Sequence, residues 1–220
     1  MCPVDGSTVT GVPTYRACLV DVFDTAISID MAGYNTALAG LAAVDPEAFG
    51  AAFRRWSVPV MDGSTSIRQA VAGVLDACGV AADDGLLDRL VAADRELVDE
   101  WAVLHDDVVP FLESLRELGV RTAFVSNCAE NTRPLLDRLG LTALVDELVL
   151  SCEVRAVKPD PAIFEVAVER LGVLPGESLF VDDQLAFCHA AEAAGIRAVQ
   201  IDRAGGQGEV STLSELLAYL

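Results

Sequence analysis

The chain has 220 residues, of which 52% are hydrophobic and 22% are charged, a balance typical of a folded globular protein. Its 34 acidic residues against 15 basic ones give a formal net charge of −19. A surface this acidic repels phosphate backbones and anionic lipids, which argues against nucleic-acid and membrane-surface partners. No apolar run reaches the ~18 residues of a transmembrane helix, and the start lacks the pattern of a signal peptide, so we expect a cytoplasmic protein.

The first predicted element is a buried strand from Arg16 to Val22, which follows a segment rich in proline and glycine. From residue 31 to about residue 101 the apolar residues recur at helical spacing. Two helices of this segment are predicted over 66–77 and 84–101. The segment is therefore expected to be all-helical.

From residue 108 onward, predicted helices and strands alternate. The strands are predicted over 122–125, 148–150, 178–181 and 196–201. The helix before each strand ends on a glycine, namely Gly119, Gly140, Gly172 and Gly195. Such alternation is typical of a parallel sheet with right-handed crossovers. A last helix is predicted over 213–220, with Ser211 as its cap.

These elements predict the α/β fold class, with a helical segment inserted after the first strand of a parallel-sheet core. The core is assigned to residues 1–25 and 106–220, and the inserted all-helical cap to residues 26–105. In open parallel sheets, ligands bind at the carboxyl ends of the strands. The residues that immediately follow the strands are therefore the candidates for a functional site.

Three carboxylates, two hydroxyls, an amide and one ammonium follow the core strands. These residues are Asp21, Thr25, Ser126, Asn127, Lys158, Asp182 and Asp183. Clustered aspartates repel one another unless a divalent cation lies between them, and hard oxygen ligands favour Mg²⁺. A carboxylate can also act as a nucleophile, while a hydroxyl, an amide and a lysine can hold the oxygens of a transferred anion.

At these positions the sequence resembles the haloacid dehalogenase (HAD) superfamily of aspartyl-nucleophile hydrolases. The resemblance is carried, in the family's order, by CLVDVFDT, AFVSN, VKPDPAIFEVAVERLGV and SLFVDDQLAFCHAAEAAGI. It covers nearly the whole chain, and its last two segments are the most specific. The resemblance implies a Rossmann-like core and a helical cap of the first type.

The resemblance also implies roles for individual residues. Asp21 matches the nucleophile, and Lys158 matches the lysine that pairs with the nucleophile and the substrate anion. The implied catalytic set is Asp21, Thr25, Ser126, Asn127 and Lys158. The implied Mg²⁺ ligands are Asp21, the backbone carbonyl of Phe23, Asp182 and Asp183.

The residue two positions after the nucleophile departs from the phosphatases of this family, which carry a second Asp there as general acid and base. Phe23 cannot transfer a proton, and losing such a group typically costs about 10²–10⁴-fold in rate. The 2-haloacid dehalogenases have an aromatic residue at this position, because halide leaves without protonation. Asp24 could supply the proton instead only if the chain bends there, since an extended strand points it away from Asp21.

The acidic pair favours a phosphatase, because dehalogenases of this type work without metal and carry Ser and Asn in its place. Without a cation, Asp21, Asp182 and Asp183 have only Lys158 to offset them. We therefore predict a Mg²⁺-dependent phosphatase of a small phosphorylated metabolite, acting through an aspartyl phosphate on Asp21. The alternatives are a 2-haloacid dehalogenase and a weakly active or inactive member that binds a metabolite.

The cap and the cysteines carry weaker signals. Arg54, Arg55 and Trp56 could contact the substrate anion, although charges on a helix face and a packed tryptophan are the ordinary interpretation. The six cysteines form no C-x-x-C pair, so neither a zinc site nor a disulfide framework is indicated. Most of them are expected to be reduced and buried. A monomer and a homodimer are both compatible with the sequence.

Overall fold

The computed structural model describes residues 14–220. Residues 1–13 of the predicted core segment 1–25 lie outside the described residues. In the described part of the chain the strands are β1 (Ala17–Val20), β2 (Ile27–Ile29), β3 (Ala102–Leu104), β4 (Arg121–Ser126), β5 (Glu147–Leu150), β6 (Ser178–Asp182) and β7 (Arg197–Gln200).

The α-helices of the same residues all lie between β1 and β7 along the chain. They are α1 (Met31–Leu41), α2 (Pro46–Phe53), α3 (Ser57–Met61), α4 (Ile67–Ala77), α5 (Asp84–Trp101), α6 (Val108–Glu117), α7 (Thr132–Arg138), α8 (Ser151–Val154), α9 (Pro161–Leu171) and α10 (Leu185–Ala193). Short 3₁₀ helices cover Thr142–Leu144, Pro175–Glu177 and Leu213–Ala218. In the described residues, no helix combines the length and apolar character needed to cross a membrane.

Five of the strands form one parallel sheet in the order β5-β4-β1-β6-β7. Strand β1 lies at its centre, and its four residues are fully buried because helices cover both faces of the sheet. Val20 at the end of β1 is paired with Phe124 of β4 and Val181 of β6. This register brings the residues that follow the three strands to one edge of the sheet, and the predicted α/β fold class is confirmed.

Strands β2 and β3 pair antiparallel, with Ile27 opposite Leu104. They form a short ribbon where the chain leaves the core and returns to it, and α1 to α5 lie between them in sequence. We call β2, α1–α5 and β3 the insertion. The prediction of helices alone is therefore correct for the interior of the insertion, while its two ends pair as strands and so satisfy their backbone groups.

The helix ends follow the sequence signals at most positions. The four glycines predicted to end helices all have positive φ. The C-terminal element differs from its prediction, because it is a 3₁₀ helix that begins after Thr212. Ser211 does not cap it; the Ser211 hydroxyl instead donates a hydrogen bond to Glu215 at 2.9 Å.

Candidate active site

The ammonium of Lys158 lies between two carboxylates that come from different strands. Its Nζ atom is 2.5 Å from Oδ1 of Asp21 and 2.6 Å from Oδ2 of Asp182. The exposed fractions of these side chains are 1% for Lys158, 6% for Asp21 and 1% for Asp182. Asp21 directly follows β1 and Asp182 ends β6, so the sheet register brings them together, and the loop between α8 and α9 adds the lysine. The structure thus assembles three of the predicted site residues into one buried group.

Asp183 completes an acidic cluster with Asp21 and Asp182. Each of the three carboxylates offers an oxygen atom, and these oxygens all lie within 4.8 Å of one another. Hard, negatively charged oxygens at this spacing suit Mg²⁺, which is bound through a few carboxylates and retains several waters. The donor set therefore fits the predicted metal. Phe23, whose carbonyl is the fourth predicted ligand, lies half-buried in the turn after β1.

Burial makes the acidic cluster hard to ionise. Desolvation raises the pKa of Asp21 to about 7, and the neighbouring Asp182 contributes to this rise, while Lys158 opposes it. Desolvation, together with Asp21 and Asp24, raises the pKa of Asp183 to about 6. Burial by itself would lower the pKa of Lys158, but the two carboxylates beside it raise that pKa above its ordinary value. With all three carboxyls ionised, the cluster would carry more negative charge than one lysine offsets, so an additional cation favours their ionised form.

Two hydroxyls, one in the turn after β1 and one at the end of β4, are buried without a hydrogen-bond partner among the described residues. They belong to Thr25 and Ser126, both fully buried. A buried polar group without a partner is costly, so its position calls for an explanation such as an absent water, ion or ligand. Both residues belong to the set predicted from the sequence. Their free hydroxyls suit the binding of a polar group at the strand ends.

Asn127 holds the backbone of Lys158 rather than facing a carboxylate. Its Nδ2 atom donates a hydrogen bond to the Lys158 carbonyl at 2.9 Å, and its Oδ1 atom accepts one from the Lys158 amide at 2.7 Å. Two hydrogen bonds to one residue fix the course of the loop that carries the lysine. Asn127 therefore positions this loop, and the catalytic role that the resemblance implies for it stays a prediction.

The chain bends sharply just after β1. Asp24 has a φ of 60°, and its amide donates a hydrogen bond to the Ile27 carbonyl at 2.7 Å. The Ala26 and Ile27 amides both donate to the Val22 carbonyl at 2.8 Å. The bend that Asp24 would need in order to supply the proton in place of Phe23 is therefore present. The Asp24 side chain is exposed, and it lies near enough to Asp183 to raise the pKa of that carboxyl.

The three residues predicted from the insertion lie in different surroundings. Arg54 and Arg55 are exposed, and among the described residues neither forms an ion pair with the acidic cluster. The Trp56 ring packs so closely on Gly73 that a Cβ atom there would lie 2.2 Å from it. Trp56 is thus part of the packing of the insertion. A substrate contact of the two arginines stays a prediction.

Sequence reasoning missed an arginine that supports the site. Arg203 donates two hydrogen bonds to the Thr25 carbonyl, at 2.9 Å from Nε and 2.6 Å from Nη2. Its third nitrogen lies 2.7 Å from Oδ2 of Asp107, so Asp107 serves this ion pair and does not cap α6 with its side chain. Arg203 thereby ties together the two segments that join the insertion to the core. No local pattern in the sequence signals this contact, because its partners lie far apart along the chain.

Lys158 also lies against two aromatic rings. Its Nζ atom is 5.5 Å from the ring centroid of Phe180 and 5.1 Å from that of Phe187. At this distance the negative face of a ring attracts an ammonium. The rings also fill the space around the lysine, which explains why it is buried as well as paired.

Comparison with known proteins agrees with this geometry. The family model for haloacid dehalogenase-like hydrolases matches residues 15–195. The chain belongs to this family. It is therefore an enzyme of the hydrolase class. The family resemblance and the α/β fold class predicted from the sequence are both confirmed. The roles of its individual site residues stay predictions.

Relatives of this hydrolase include both phosphatases and dehalogenases. A phosphoglycolate phosphatase from Pseudomonas syringae pv. tomato is 31% identical over 211 residues, covering 91% of this chain and 68% of that protein. The (S)-2-haloacid dehalogenase 1 from Pseudomonas sp. is 29% identical over 221 residues, covering 91% and 94%. For four further relatives, the matched region covers only 43 to 61% of their own length.

Solved structures show the same fold. The HAD family enzyme BT-2542 from Bacteroides thetaiotaomicron, solved in complex with magnesium and inorganic phosphate, superposes with a TM-score of 0.69 at 19% identity. The match covers 88% of this chain and 96% of that one. This likeness supports the parallel-sheet core with its helical insertion.

Proposed function

We propose that this HAD-like hydrolase is a Mg²⁺-dependent phosphatase of a small phosphorylated metabolite, with Asp21 as the nucleophile. The observation that carries the proposal is the acidic pair Asp182–Asp183, whose oxygens lie within 4.8 Å of each other and of Asp21. A halide-releasing enzyme has no need of this concentration of negative charge beside its nucleophile. Relatives named as phosphoglycolate phosphatases support the same substrate class.

Mg²⁺, when bound by Asp21, Asp182, Asp183 and the Phe23 carbonyl, would neutralise the charge on the substrate and its nucleophile. The Asp21 carboxylate attacks phosphorus in line with the leaving oxygen and becomes an aspartyl phosphate. Lys158 and the unpartnered Ser126 hydroxyl hold the phosphoryl oxygens, and water then hydrolyses the aspartyl phosphate.

The surrounding residues keep this arrangement in place. Asn127 holds the backbone of Lys158 through two hydrogen bonds, and Arg203 holds the carbonyl of Thr25. Both contacts fix atoms of the site before substrate arrives, which lowers the cost of reaching the transition state. The insertion would act as the cap that excludes bulk water from the site.

Phe23 limits the kind of phosphate ester that this site can cleave well. No proton donor stands at that position, so in this proposal the leaving group departs with little protonation; proton donation by Asp24, which the bend after β1 allows, is the alternative. Acyl phosphates, sugar 1-phosphates and enol phosphates meet this requirement. These are examples of the small anionic metabolites that a site without a donor at Phe23 would favour.

A 2-haloacid dehalogenase is the second candidate, and two observations favour it. Phe23 places an aromatic residue where those enzymes carry one, and a halide needs no proton to leave. The (S)-2-haloacid dehalogenase relative matches over 91% of this chain and 94% of its own length. In this mechanism Asp21 would attack carbon, and no metal would be required.

A paired release assay separates the candidates. The enzyme is given an activated aryl phosphate or 2-chloropropionate, each with Mg²⁺ or with EDTA. The proposal predicts phosphate release that EDTA abolishes and that Asp21→Asn removes. Asp76→Asn, an exposed aspartate on α4, is the matched control and should retain the rate.

Metal-independent chloride release would overturn the proposal in favour of the dehalogenase. Release of neither product by a folded, metal-loaded protein would instead favour the third alternative, a weakly active or inactive member that binds a metabolite. Calorimetric titration with phosphate analogues would then measure that binding.

A further inference from the structure

Two cysteines lie side by side next to the candidate active site, although they are far apart in the sequence. Strands β4 and β5 run parallel with Ser126 paired to Leu150, so Cys128 and Cys152 lie two residues past paired strand ends. The Cys128 amide donates a hydrogen bond to the Ser151 hydroxyl at 2.9 Å, which joins the two segments. Neighbouring strands lie about 4.7–4.9 Å apart, and a disulfide joins Cα atoms about 4.4–6.8 Å apart. The hydrogen bond between the two thiols shows that they stay adjacent beyond the strand ends, so the pair is within reach of a disulfide.

The two thiols differ in exposure and in acidity. Cys128 is buried, whereas Cys152 is half-buried and lines a cavity of about 510 Å³ between the insertion and the core. The hydrogen bond between the two thiols lowers the pKa of Cys128 and raises the pKa of Cys152. One thiol is thus accessible from a cavity, and its more acidic neighbour can accept its proton and then act as the second attacking thiolate.

We propose that Cys128 and Cys152 form an oxidation site, which a low-molecular-weight disulfide converts into an intramolecular disulfide. Cys128, the more acidic thiol, ionises first and accepts the proton of Cys152 through their hydrogen bond, and the Cys152 sulfur then attacks one sulfur of the reagent RSSR, whose S–S bond breaks as one RS⁻ leaves. Cys128 passes its proton to that RS⁻, and its sulfur attacks the Cys152 sulfur of the mixed disulfide, from which the second RS⁻ leaves and takes the proton that Cys128 first released. Two cysteine thiols are oxidised, the reagent is reduced to two thiols, and the two cysteine protons go to the leaving thiolates.

The disulfide would join two segments that matter to the site. Asn127, which precedes Cys128, holds the backbone of Lys158. The Cys152 carbonyl lies against Gly63 of the insertion, where a Cβ atom would be only 2.0 Å away. Oxidation therefore adds a covalent link between the loop that positions the lysine and the segment that contacts the insertion. The effect on turnover rests on the proposed function, whereas disulfide formation itself does not.

The test is to incubate the full chain with glutathione disulfide and to map its peptides under non-reducing conditions. The expected result is the loss of two of the six thiols and a cross-link between the peptides of Cys128 and Cys152, both reversed by dithiothreitol. Cys152→Ser should abolish the cross-link. Cys78→Ser is the matched control, because Cys78 is also half-buried but lies at the end of α4, and this variant should retain the cross-link.

A wild-type protein that gains glutathione adducts without a 128–152 cross-link would overturn the proposal, as would a protein whose thiols do not react at all. In the phosphate-release assay, the cross-linked enzyme is expected to be slower and to recover with dithiothreitol, while Cys152→Ser is insensitive to the reagent. An unchanged rate in fully cross-linked enzyme would contradict the coupling to the site and leave the disulfide standing. The peptide masses therefore test the disulfide, and the rates separately test its effect on the site.

Discussion

The Lys158 ammonium lies between the carboxylates of Asp21 and Asp182, and all three side chains are buried. Lys158 is the single lysine among the 15 basic residues of the chain. A compact ammonium fits between two carboxylates and two rings, whereas an arginine fork is larger and planar. At the scale of single residues, the charge balance of the site thus depends on this lysine.

Replacing Lys158 with methionine should destabilise the metal-free protein by about 3–5 kcal/mol, since it leaves two buried carboxylates without their partner. Urea unfolding measures this change. Arg16→Met is the control, because Arg16 forms an exposed ion pair with Glu177 and should cost at most about 1 kcal/mol. Equal, small losses in both variants would show that the buried pair contributes little.

Phe23→Asp should raise the turnover of alkyl phosphates more than that of activated aryl phosphates. The new carboxyl can protonate a poor leaving group, a contribution of up to about 10²–10⁴-fold. Phe23→Asn controls for size and polarity, because an amide cannot supply the proton. A folded Phe23→Asp variant with no gain on alkyl substrates would show that missing acid catalysis does not limit the rate.

At the scale of elements, the insertion touches the core at a few defined points. The loop between α3 and α4 presses Gly63 against the Cys152 carbonyl of α8. On the other side, Asn131 donates a hydrogen bond from its Nδ2 atom to Asp94 of α5 at 2.9 Å. These contacts, together with the β2–β3 ribbon, hold the insertion beside the strand ends.

Gly63→Ala should destabilise the protein more than Gly79→Ala does. Both glycines have positive φ, 69° and 74°, so both substitutions carry the same backbone strain. A Cβ atom at Gly63 also collides with Cys152, whereas nothing lies within 4 Å of one at Gly79. The difference in free energy of unfolding between the two variants therefore measures the contact of the insertion with the core, and equal losses would contradict a tight contact.

At the scale of the whole molecule, periodicity and strand-end chemistry predict much of what the structure shows. The five core strands, the helical insertion and the cluster of Asp21, Lys158 and Asp182 all follow from local patterns. Local patterns do not predict the sheet order, the Asn127 contacts with Lys158 or the contacts of Arg203 with Thr25 and Asp107. They depend on which distant segments pack together, and a single sequence carries no periodic signal for such contacts.

The acidic cluster should make stability depend on both pH and Mg²⁺. Carboxyls whose pKa is raised on folding, to about 7 for Asp21 and about 6 for Asp183, bind more protons in the folded state than in the unfolded one. Their contribution to stability is present at low pH and is lost as pH rises from about 4 to about 7. Mg²⁺ replaces those protons, so it should raise the Tm more at about pH 8 than at about pH 5.

Differential scanning calorimetry measures this effect, and Asp183→Asn serves as the comparison that removes one of the carboxyls. The variant should lose both the Mg²⁺ effect and part of the fall in stability with rising pH. A wild-type protein whose Tm responds equally to Mg²⁺ at both pH values would contradict the link between metal and cluster.

The central claim is that Asp21 becomes phosphorylated in a Mg²⁺-dependent reaction, and acid quenching tests it most directly. The enzyme is mixed with an activated aryl phosphate and quenched in acid during turnover. It is then digested, and the masses of its peptides are measured by mass spectrometry. We predict one added phosphoryl group on the peptide that contains Asp21, present with Mg²⁺ and absent with EDTA. Phosphate release in full turnover with no phosphoryl group on that peptide, or with the group on another residue, would contradict the account.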